Sequence, residues 1–396
     1  MNTAPSSRTR IYSLDILRGA VIIVMALDHV RDFIHADAFV HDPLDLVTTS
    51  PLLFFTRWIT HFCAPIFVFL AGTSAFLQGQ RKTKSELSSF LIKRGLWLIF
   101  IEVVVITFAW TFNPDYNVII LQVIWAIGIS MALLGLLIWL PYNFLLVLGL
   151  LIVFGHNAFD HFRETPNSGF LFDLAMNGNF AQHCITPDHC FLMVYAFVPW
   201  WGIMILGYCF GRLYAVNVDV AYRKRVLIYL GAGLILLFII LRSFNIYGDP
   251  NPWSIQKNTV YSFLSFIKVN KYPPSLLFLC ITLGPALVML ALLENFKNQL
   301  SRAITIFGRV PFFFYVIHLY LIHLISMILF FTRGHSFQEG LQGIPQVPFK
   351  FFIPGEGYGL GVVYLVWIIV VLSLYPLCKW FNDYKSRNPK WWLSYL

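Results

Sequence analysis

Long apolar stretches separated by short polar segments make up most of this 396-residue chain. Several stretches approach twenty residues with almost no charge, the length that an α-helix needs to cross the hydrocarbon core of a bilayer. Hydropathy predicts ten spans, at about residues 11–34, 52–79, 92–112, 118–140, 142–157, 191–214, 225–244, 273–293, 305–331 and 358–380. The pattern therefore predicts an all-α, polytopic integral membrane protein with about ten transmembrane helices.

Basic residues gather in alternate connections between these spans. They are Arg8, Arg10, the QRKTK run at 80–84, Lys93, Arg94, the YRKR run at 222–225, Lys297, Arg302 and the lysines of the C-terminal tail. The positive-inside rule places such segments in the cytoplasm, so both termini are expected there. The sequence has no internal repeat and no secretory signal peptide, and one transmembrane domain is expected over residues 1–396.

Three of the opposite, extracytoplasmic connections are unusually long. They lie near residues 158–190, 245–272 and 332–357, and they are rich in proline, glycine and aromatic residues. Loops of this length exceed the usual connector between two elements. They are expected either to roof a functional site or to form variable surface, and the sequence leaves both alternatives open.

Composition supports a membrane protein and argues against nucleic-acid binding. Hydrophobic residues make up 58% of the chain and charged residues 12%, whereas soluble domains carry about 25% charged residues. The net charge of +9 needs no polyanionic partner, because membrane proteins collect Lys and Arg in their cytoplasmic loops. The expected partner is therefore the lipid bilayer, and homo-oligomerisation is compatible with the sequence.

The first predicted span carries ionisable residues at both ends. Asp15 and Arg18 can pair near its cytoplasmic end, since residues three apart share a helix face, and Asp28 and His29 lie near its other end. Eleven residues separate Arg18 from His29, which is about 16 Å along a helix. Because charge inside a membrane is costly, each of these residues is a candidate functional residue.

A dense cluster of ionisable residues is predicted where the first two spans meet at the outer level. Its members are Asp28, His29, Arg31, Asp32, His35, Arg57 and His61. A carboxylate beside a histidine can orient the ring and stabilise its protonated form, which is the arrangement that a general base needs. The alternative is a satisfied polar network that holds the first two helices together.

Further polar residues lie along the later spans. Glu102 falls in the middle of the third span, and Gln122 follows the NPDY turn at 113–116. Arg309 begins the ninth span on the cytoplasmic side, where it is expected to bind phosphate or to extend its side chain to the interface. His318 follows it by about 13 Å along the helix. It is expected to line the same cavity as His29 or to hydrogen-bond a neighbouring helix.

The cysteines favour a disulfide over a metal site, with two unpaired cysteines as the alternative. Cys184 and Cys190 lie in an extracytoplasmic loop, where a disulfide can persist. His183 and His189 flank them, but this spacing does not match common zinc sites, so no metal is expected. The remaining cysteines fall in spans and are expected to be packing residues.

Two segments resemble a known enzyme family. SLDILRGAVIIVMALDHVRDFIHADA and LLFFTRWITHFCAPIFVFLAGTSAFL are similar to the catalytic domain of the heparan-alpha-glucosaminide N-acetyltransferase family, and in particular to its bacterial members. The similarity is specific over about residues 8–80. It continues more loosely through ILQVIWAIGIS, KYPPSLLFLCITLGPALVML and GRVPFFFYVIH.

The resemblance implies an acyltransferase that takes acyl-CoA on the cytoplasmic side and acylates a sugar on the far side. Acetyl-CoA is then the expected donor, with Arg18 and Arg309 as the cations that would hold its phosphates and Asp15 and His318 as further cofactor-binding candidates, and a glycan is the expected acceptor. His29, His35 or His61 would act as general base beside Asp28. Arg57, Arg31 and Asp32 would contact the substrate, and one of the two arginines or a helix end would stabilise the oxyanion.

The resemblance does not identify the histidine. The first helix of eukaryotic lysosomal members ends in an Asn-Tyr pair, and their catalytic histidine follows in the loop, whereas Asp28 and His29 hold the position of that pair here. His29 is the first candidate and His35 the second. A bacterial-type chain is expected in the inner membrane, acting on an envelope glycan or another small sugar.

Two other classes of function compete with an acyltransferase. A proton-coupled transporter or exporter could use the Asp28–His29 cluster, because proton relays in membranes are built from such residues. Inverted repeats with broken helices would favour transport, and the sequence has none. A non-catalytic membrane component would leave the charged stripe unexplained.

Overall fold

The structure is a computed structural model that describes residues 11–163, 169–344, 347–388 and 390–394. Arg8 and Arg10, which contribute to the predicted orientation, lie outside the described residues.

The helices of the described part, in chain order, are α1 Tyr12–Ile34, α2 Pro51–Trp58, α3 Cys63–Gly79, α4 Lys84–Ile101, α5 Thr107–Thr111, α6 Val123–Leu137, α7 Tyr142–Gly155, α8 Asp160–Arg163, α9 Phe170–Phe172, α10 Phe197–Phe210, α11 Val220–Phe244, α12 Thr259–Ile267, α13 Leu276–Leu293, α14 Gln299–Arg309, α15 Pro311–Thr332, α16 Phe337–Gln342 and α17 Leu360–Arg387. Short 3₁₀ turns cover Ile59–Phe62, His156–Phe159, Gly211–Tyr214 and Trp391–Ser394, and π-helical turns cover Glu102–Ile106 and Asp173–Asn177.

A small sheet corrects the predicted starts of two spans. Its strands are β1 Val118–Leu121, β2 Ala181–Thr186 and β3 His189–Met193. Strand β3 is central, parallel to β1 and antiparallel to β2. The prediction of helix from residues 118 and 191 onwards was therefore wrong, because a short apolar run such as VIIL suits a strand as well as a helix. Only its pairing partner, distant in the chain, decides between the two.

The ninth predicted span is also divided. Helix α14 ends at Arg309, and α15 begins at Pro311. Val310 between them has φ −129° and ψ 46°, outside the helical region. The proline explains the break, because its ring disfavours the α conformation of the preceding residue.

Six helical segments of the described residues are long and apolar enough to cross a membrane. They are Pro51–Gly79, Tyr142–Phe159, Val220–Phe244, Leu276–Leu293, Pro311–Thr332 and Leu360–Arg387, and Val123–Leu137 is apolar but shorter. Helix α1 has 23 residues, but its charged side chains lower its hydropathy. The ten-span count and the cytoplasmic position of the termini stay predictions.

Helix α1 lies at the centre of the helical assembly. It packs against α3, α13, α14, α15 and α17. Asp15, Asp28, His29 and Arg31 are consequently buried against protein. This placement explains how so polar a helix is tolerated, since ionisable residues at membrane depth face the interior of a bundle.

Two glycines allow α1 and α14 to approach closely. A Cβ atom added to Gly19 would meet the carbonyl oxygen of Ile304, and one added to Gly308 would meet that of Asp15. Backbone atoms cannot move aside as the end of a flexible side chain can. The two helices are therefore held at a separation that only glycine permits at these positions.

Gly19→Ala is expected to destabilise the protein by about 1–3 kcal/mol, because overpacking forces the helices apart. Thermal unfolding in detergent micelles would measure the effect. Gly233→Ala in α11 is the matched control, since nothing lies within 4 Å of the added Cβ there. Equal unfolding temperatures for the two variants would contradict the close approach of α1 and α14.

Candidate active site

A cavity of about 680 Å³ opens where α1 ends. Its wall includes the last turns of α1, the loop after it, the start of α3 and the β1–α6 junction. All three long loops contribute to it, with Asn179 and Phe180 from the first, 268–272 from the second and 347–349 from the third. Of the two alternatives for these loops, their contribution to the cavity wall favours a roof that covers a site, rather than variable surface.

Ion pairs connect α1 to α2 at this cavity. Arg31 contacts Asp28 at 3.1 Å and Asp32 at 2.6 Å. Arg57 of α2 pairs with the other oxygen of Asp28. Two cations and two carboxylates thus balance within one network, as buried charges require. Both predicted substrate-binding arginines are already engaged by carboxylates.

His29 and His318 form a hydrogen-bonded pair that fixes the tautomer of each ring. Nδ1 of His318 lies 2.9 Å from the carbonyl oxygen of Phe314, which can only accept, so this nitrogen carries the proton. His318 is fully buried and is best accommodated as a neutral ring, whose Nε2 must then accept. Nδ1 of His29 lies 2.7 Å from that nitrogen and therefore donates to it.

Nε2 of His29 is consequently left with its lone pair. Among the described residues, no protein group hydrogen-bonds to this nitrogen, and His29 lines the cavity. Edge-on contacts from Trp110, at 5.1 Å between ring centroids, and from Tyr315, at 6.1 Å, hold the ring. The arrangement gives an oriented imidazole with one basic nitrogen available to a ligand.

His61 lines the same cavity. It is 1% exposed, and within the described part of the chain neither of its ring nitrogens has a hydrogen-bond partner. Its ring lies edge-on to Phe278 at 5.4 Å. One ring nitrogen can therefore donate a hydrogen bond to a ligand, and the other can accept a hydrogen bond or a proton.

The other predicted histidine lies apart from the cavity wall. His35 follows the last residue of α1, and its Nδ1 accepts a hydrogen bond of 3.1 Å from the backbone of Asp37. Burial lowers the pKa of His35, against the opposing effect of Asp37. The residue stabilises the turn that follows α1, and it is not among the residues that line the cavity.

Arg18, Asp15 and Arg309 come together at the opposite end of α1. Arg18 contacts Asp15 at 3.2 Å and the hydroxyl of Ser74 at 3.0 Å, and Arg309 lies 3.8 Å from the second oxygen of Asp15. The fourth predicted cofactor-binding residue, His318, lies with His29 instead. Arg18 and Arg309 are outside the cavity lining, whose deepest residue on α1 is Met25.

Lys271 and Tyr272 are site residues that the sequence reasoning did not single out. Both line the cavity, and the Lys271 ammonium lies 5.1 Å from the centre of the Tyr272 ring. Burial acts to raise the pKa of Tyr272, but the charges of Lys271 and Arg57 outweigh it and hold the pKa below its usual value. One signal was present for the connection as a whole: Lys257, Lys268 and Lys271 lie in a segment predicted to be extracytoplasmic, which departs from the positive-inside pattern.

A buried carboxyl holds another wall of the cavity. Glu102, at the start of a π-helical turn, accepts a hydrogen bond of 2.7 Å from the backbone of Gln122. Gln122 and the neighbouring Val123 line the cavity. The sequence identifies Glu102 as a polar residue within a predicted span. In the structure its carboxyl lies behind the cavity wall and supports the backbone at Gln122.

The predicted disulfide is present in the β2–β3 hairpin. Cys184 and Cys190 are bonded, and the hairpin follows Asn179 and Phe180 of the cavity wall. His183 pairs with Asp173 at 2.7 Å rather than with a cysteine. The described residues contain no group of three side chains suited to a metal ion. The four remaining cysteines are buried and free, as Cys63, Cys209, Cys280 and Cys378.

Comparisons with known proteins bear on what this cavity does. A search of curated proteins found no match. The family model described as heparan-alpha-glucosaminide N-acetyltransferase, catalytic, matches residues 10–247, which is more than half of the chain. The match includes α1 and α2, and the cavity also draws residues from beyond it. The apolar helices and this match identify an integral membrane protein, and the chain belongs to the heparan-alpha-glucosaminide N-acetyltransferase family of acyltransferases.

Proposed function

We propose that this protein transfers an acyl group, in particular acetyl, from cytoplasmic acyl-CoA to an amine or hydroxyl of a sugar on the extracytoplasmic side. The observation that carries the proposal is the His29–His318 pair at the cavity. In this pair the tautomer of His29 is fixed, and its Nε2 is the basic nitrogen, beside a network of carboxylates. General-base catalysis of acyl transfer requires such a positioned basic nitrogen.

His29 would act on the acceptor as it attacks. Its Nε2 takes the proton from the attacking nitrogen or oxygen, and Nδ1–H remains bonded to His318. The His318 ring then shares the positive charge of the His29 imidazolium. Asp28 is the neighbour of His29 in the chain. His61, which also lines the cavity, would contact the acceptor. Direct transfer is the simplest route with this geometry.

The donor would bind at the other end of α1. Arg18 and Arg309 supply the cations that suit the phosphates of coenzyme A. Seven residues separate Arg18 from Met25 at the cavity, about 10 Å along the helix. The acyl group would cross this distance along the interface of α1 and α3, which Arg18 and Ser74 mark at one end.

We place Arg18 on the cytoplasmic side of a bacterial inner membrane, with ten spans and both termini inside.

A transfer assay tests the proposal. Purified protein in proteoliposomes would receive acetyl-CoA, with D-glucosamine as the acceptor or with no added acceptor. Free thiol measured over time reports cleavage of the thioester, and mass spectrometry detects the acetylated sugar. Release of thiol above that of protein-free liposomes is expected. Its absence under both conditions would contradict the proposed function.

Arg18→Ala is expected to weaken acetyl-CoA binding about tenfold or more, because a hydrogen bond to a charged group contributes about 1.5–3 kcal/mol. Calorimetry on detergent-solubilised protein would measure the affinity. Arg302→Ala is the control, since Arg302 is an exposed cation of α14. An affinity that is unchanged in the Arg18 variant would assign this arginine to a purely structural pair with Asp15.

A further inference from the structure

The proposed reaction develops negative charge on an oxygen that some group must stabilise. Attack on the thioester carbonyl places the electron pair of the C=O bond on oxygen, and an enzyme must meet that charge with a cation or hydrogen-bond donors. Arg31 and Arg57 were the candidates from sequence. Both are bonded to Asp28 or Asp32, so the charge of each is largely compensated.

Lys271 differs from these arginines in having no carboxylate partner. Among the described residues no carboxylate oxygen lies within 4 Å of its ammonium group, although the residue is only 8% exposed. It lines the cavity together with His29 and His61, and its charge acts on both rings and on Asp28. A nearly buried cation without a counter-ion is costly unless an anion joins it, even transiently.

The segment that carries Lys271 is held rigidly by a buried arginine. Arg242, 2% exposed, donates to the carbonyl oxygens of Ser265 and Phe266 at 2.9 Å and of Lys268 at 2.5 Å. Asp249 accepts from the backbone of Asn270 at 2.8 Å. The residues that precede Lys271 are thereby fixed. Such preorganisation makes a cation effective, because it does not have to reorient during the reaction.

We propose that Lys271 is a catalytic residue whose ammonium group stabilises the oxyanion of the tetrahedral intermediate. This role rests on the proposed acyl transfer. The bond from the acceptor nitrogen or oxygen to the carbonyl carbon forms first, while Nε2 of His29 takes the acceptor proton. The oxyanion then re-forms the C=O bond and the C–S bond breaks. The thiolate of coenzyme A leaves and receives the proton that His29 holds.

Lys271→Met tests the inference, because methionine keeps much of the side-chain length and removes the charge. We expect kcat to fall by about 10²–10³-fold, the usual cost of losing one oxyanion donor. KM for acetyl-CoA and for D-glucosamine should stay within about threefold, because the charge to be stabilised exists only in the transition state. Lys271→Arg, which restores a cation, should recover part of kcat.

Lys257→Met is the matched control. It removes one exposed lysine from the same connection outside the cavity, and it is expected to keep the wild-type kcat. Thermal unfolding of all three variants in detergent verifies that they fold.

The outcomes separate the two proposals. Wild-type kcat in a folded Lys271→Met variant would overturn the role of Lys271 and leave the acyltransferase in place. A rise in the KM for glucosamine with kcat intact would likewise overturn it, and would make Lys271 an acceptor-binding residue. A wild-type protein that releases no thiol from acetyl-CoA, with or without glucosamine, would overturn the proposed function and the role of Lys271 with it.

Discussion

His29→Gln is expected to lower kcat for acyl transfer by about 10²–10⁴-fold, the contribution typical of a positioned general base. Glutamine is similar in length and polar, but it cannot accept a proton at neutral pH. An N–H donor for Nε2 of His318 remains in the side-chain amide, one bond further from Cβ than Nδ1 of His29. The loss should therefore appear in the chemical step, with little effect on acetyl-CoA affinity or on unfolding temperature.

His318→Phe provides a graded comparison for this prediction. It keeps an aromatic ring in the buried position but removes the acceptor that holds Nδ1–H of His29. The tautomer and the orientation of His29 are then no longer fixed, so kcat should fall, but less than in His29→Gln. Turnover at the wild-type rate in a folded His29→Gln protein would exclude His29 as the base and direct attention to His61.

Arg57→Met is expected to destabilise the protein by about 3–5 kcal/mol, because removing one member of a buried ion pair leaves a charge without compensation. Asp28 would keep only Arg31, which also serves Asp32. Since Arg57 connects α2 to α1, the cavity wall that carries His61 should also lose its position, and activity should fall with stability. Denaturant titration in mixed micelles would measure the free energy of unfolding.

The double variant Asp28→Asn with Arg57→Met is the control for Arg57→Met. Removal of both charges leaves Arg31 and Asp32 as a balanced pair. We therefore expect the double variant to be more stable than Arg57→Met alone. A single variant as stable as the wild type would show that the Arg57–Asp28 contact contributes no net stabilisation.

Local pattern was sufficient to predict several features of the site. Residues three or four apart on a helix must share a face, so the Asp15–Arg18 pair follows from spacing alone. The acidic loop after α1 is too short to separate it far from α2, so Arg57 and His61 had to approach Asp28 and His29. The disulfide between Cys184 and Cys190 also follows from proximity in the chain.

Features that depend on contacts between distant segments could not be predicted in this way. The VIIL run forms a strand because Cys190–Met193 pairs with it, and hydropathy contains no information about pairing partners. The sequence left two alternatives for His318, and only the packing of α15 against α1 brings its Nε2 to His29. The tautomer of His29 rests on that single contact.

Helix period and span length are local properties, so the amino-acid sequence is enough to predict a membrane protein with a costly stripe of charge on its first helix. Which charges of the site are compensated depends on how the helices and loops pack. Arg31 and Arg57 meet carboxylates, whereas Lys271, from a loop far along the chain, reaches the cavity with none. Charge compensation depends on distances of a few ångströms between segments that only the fold brings together.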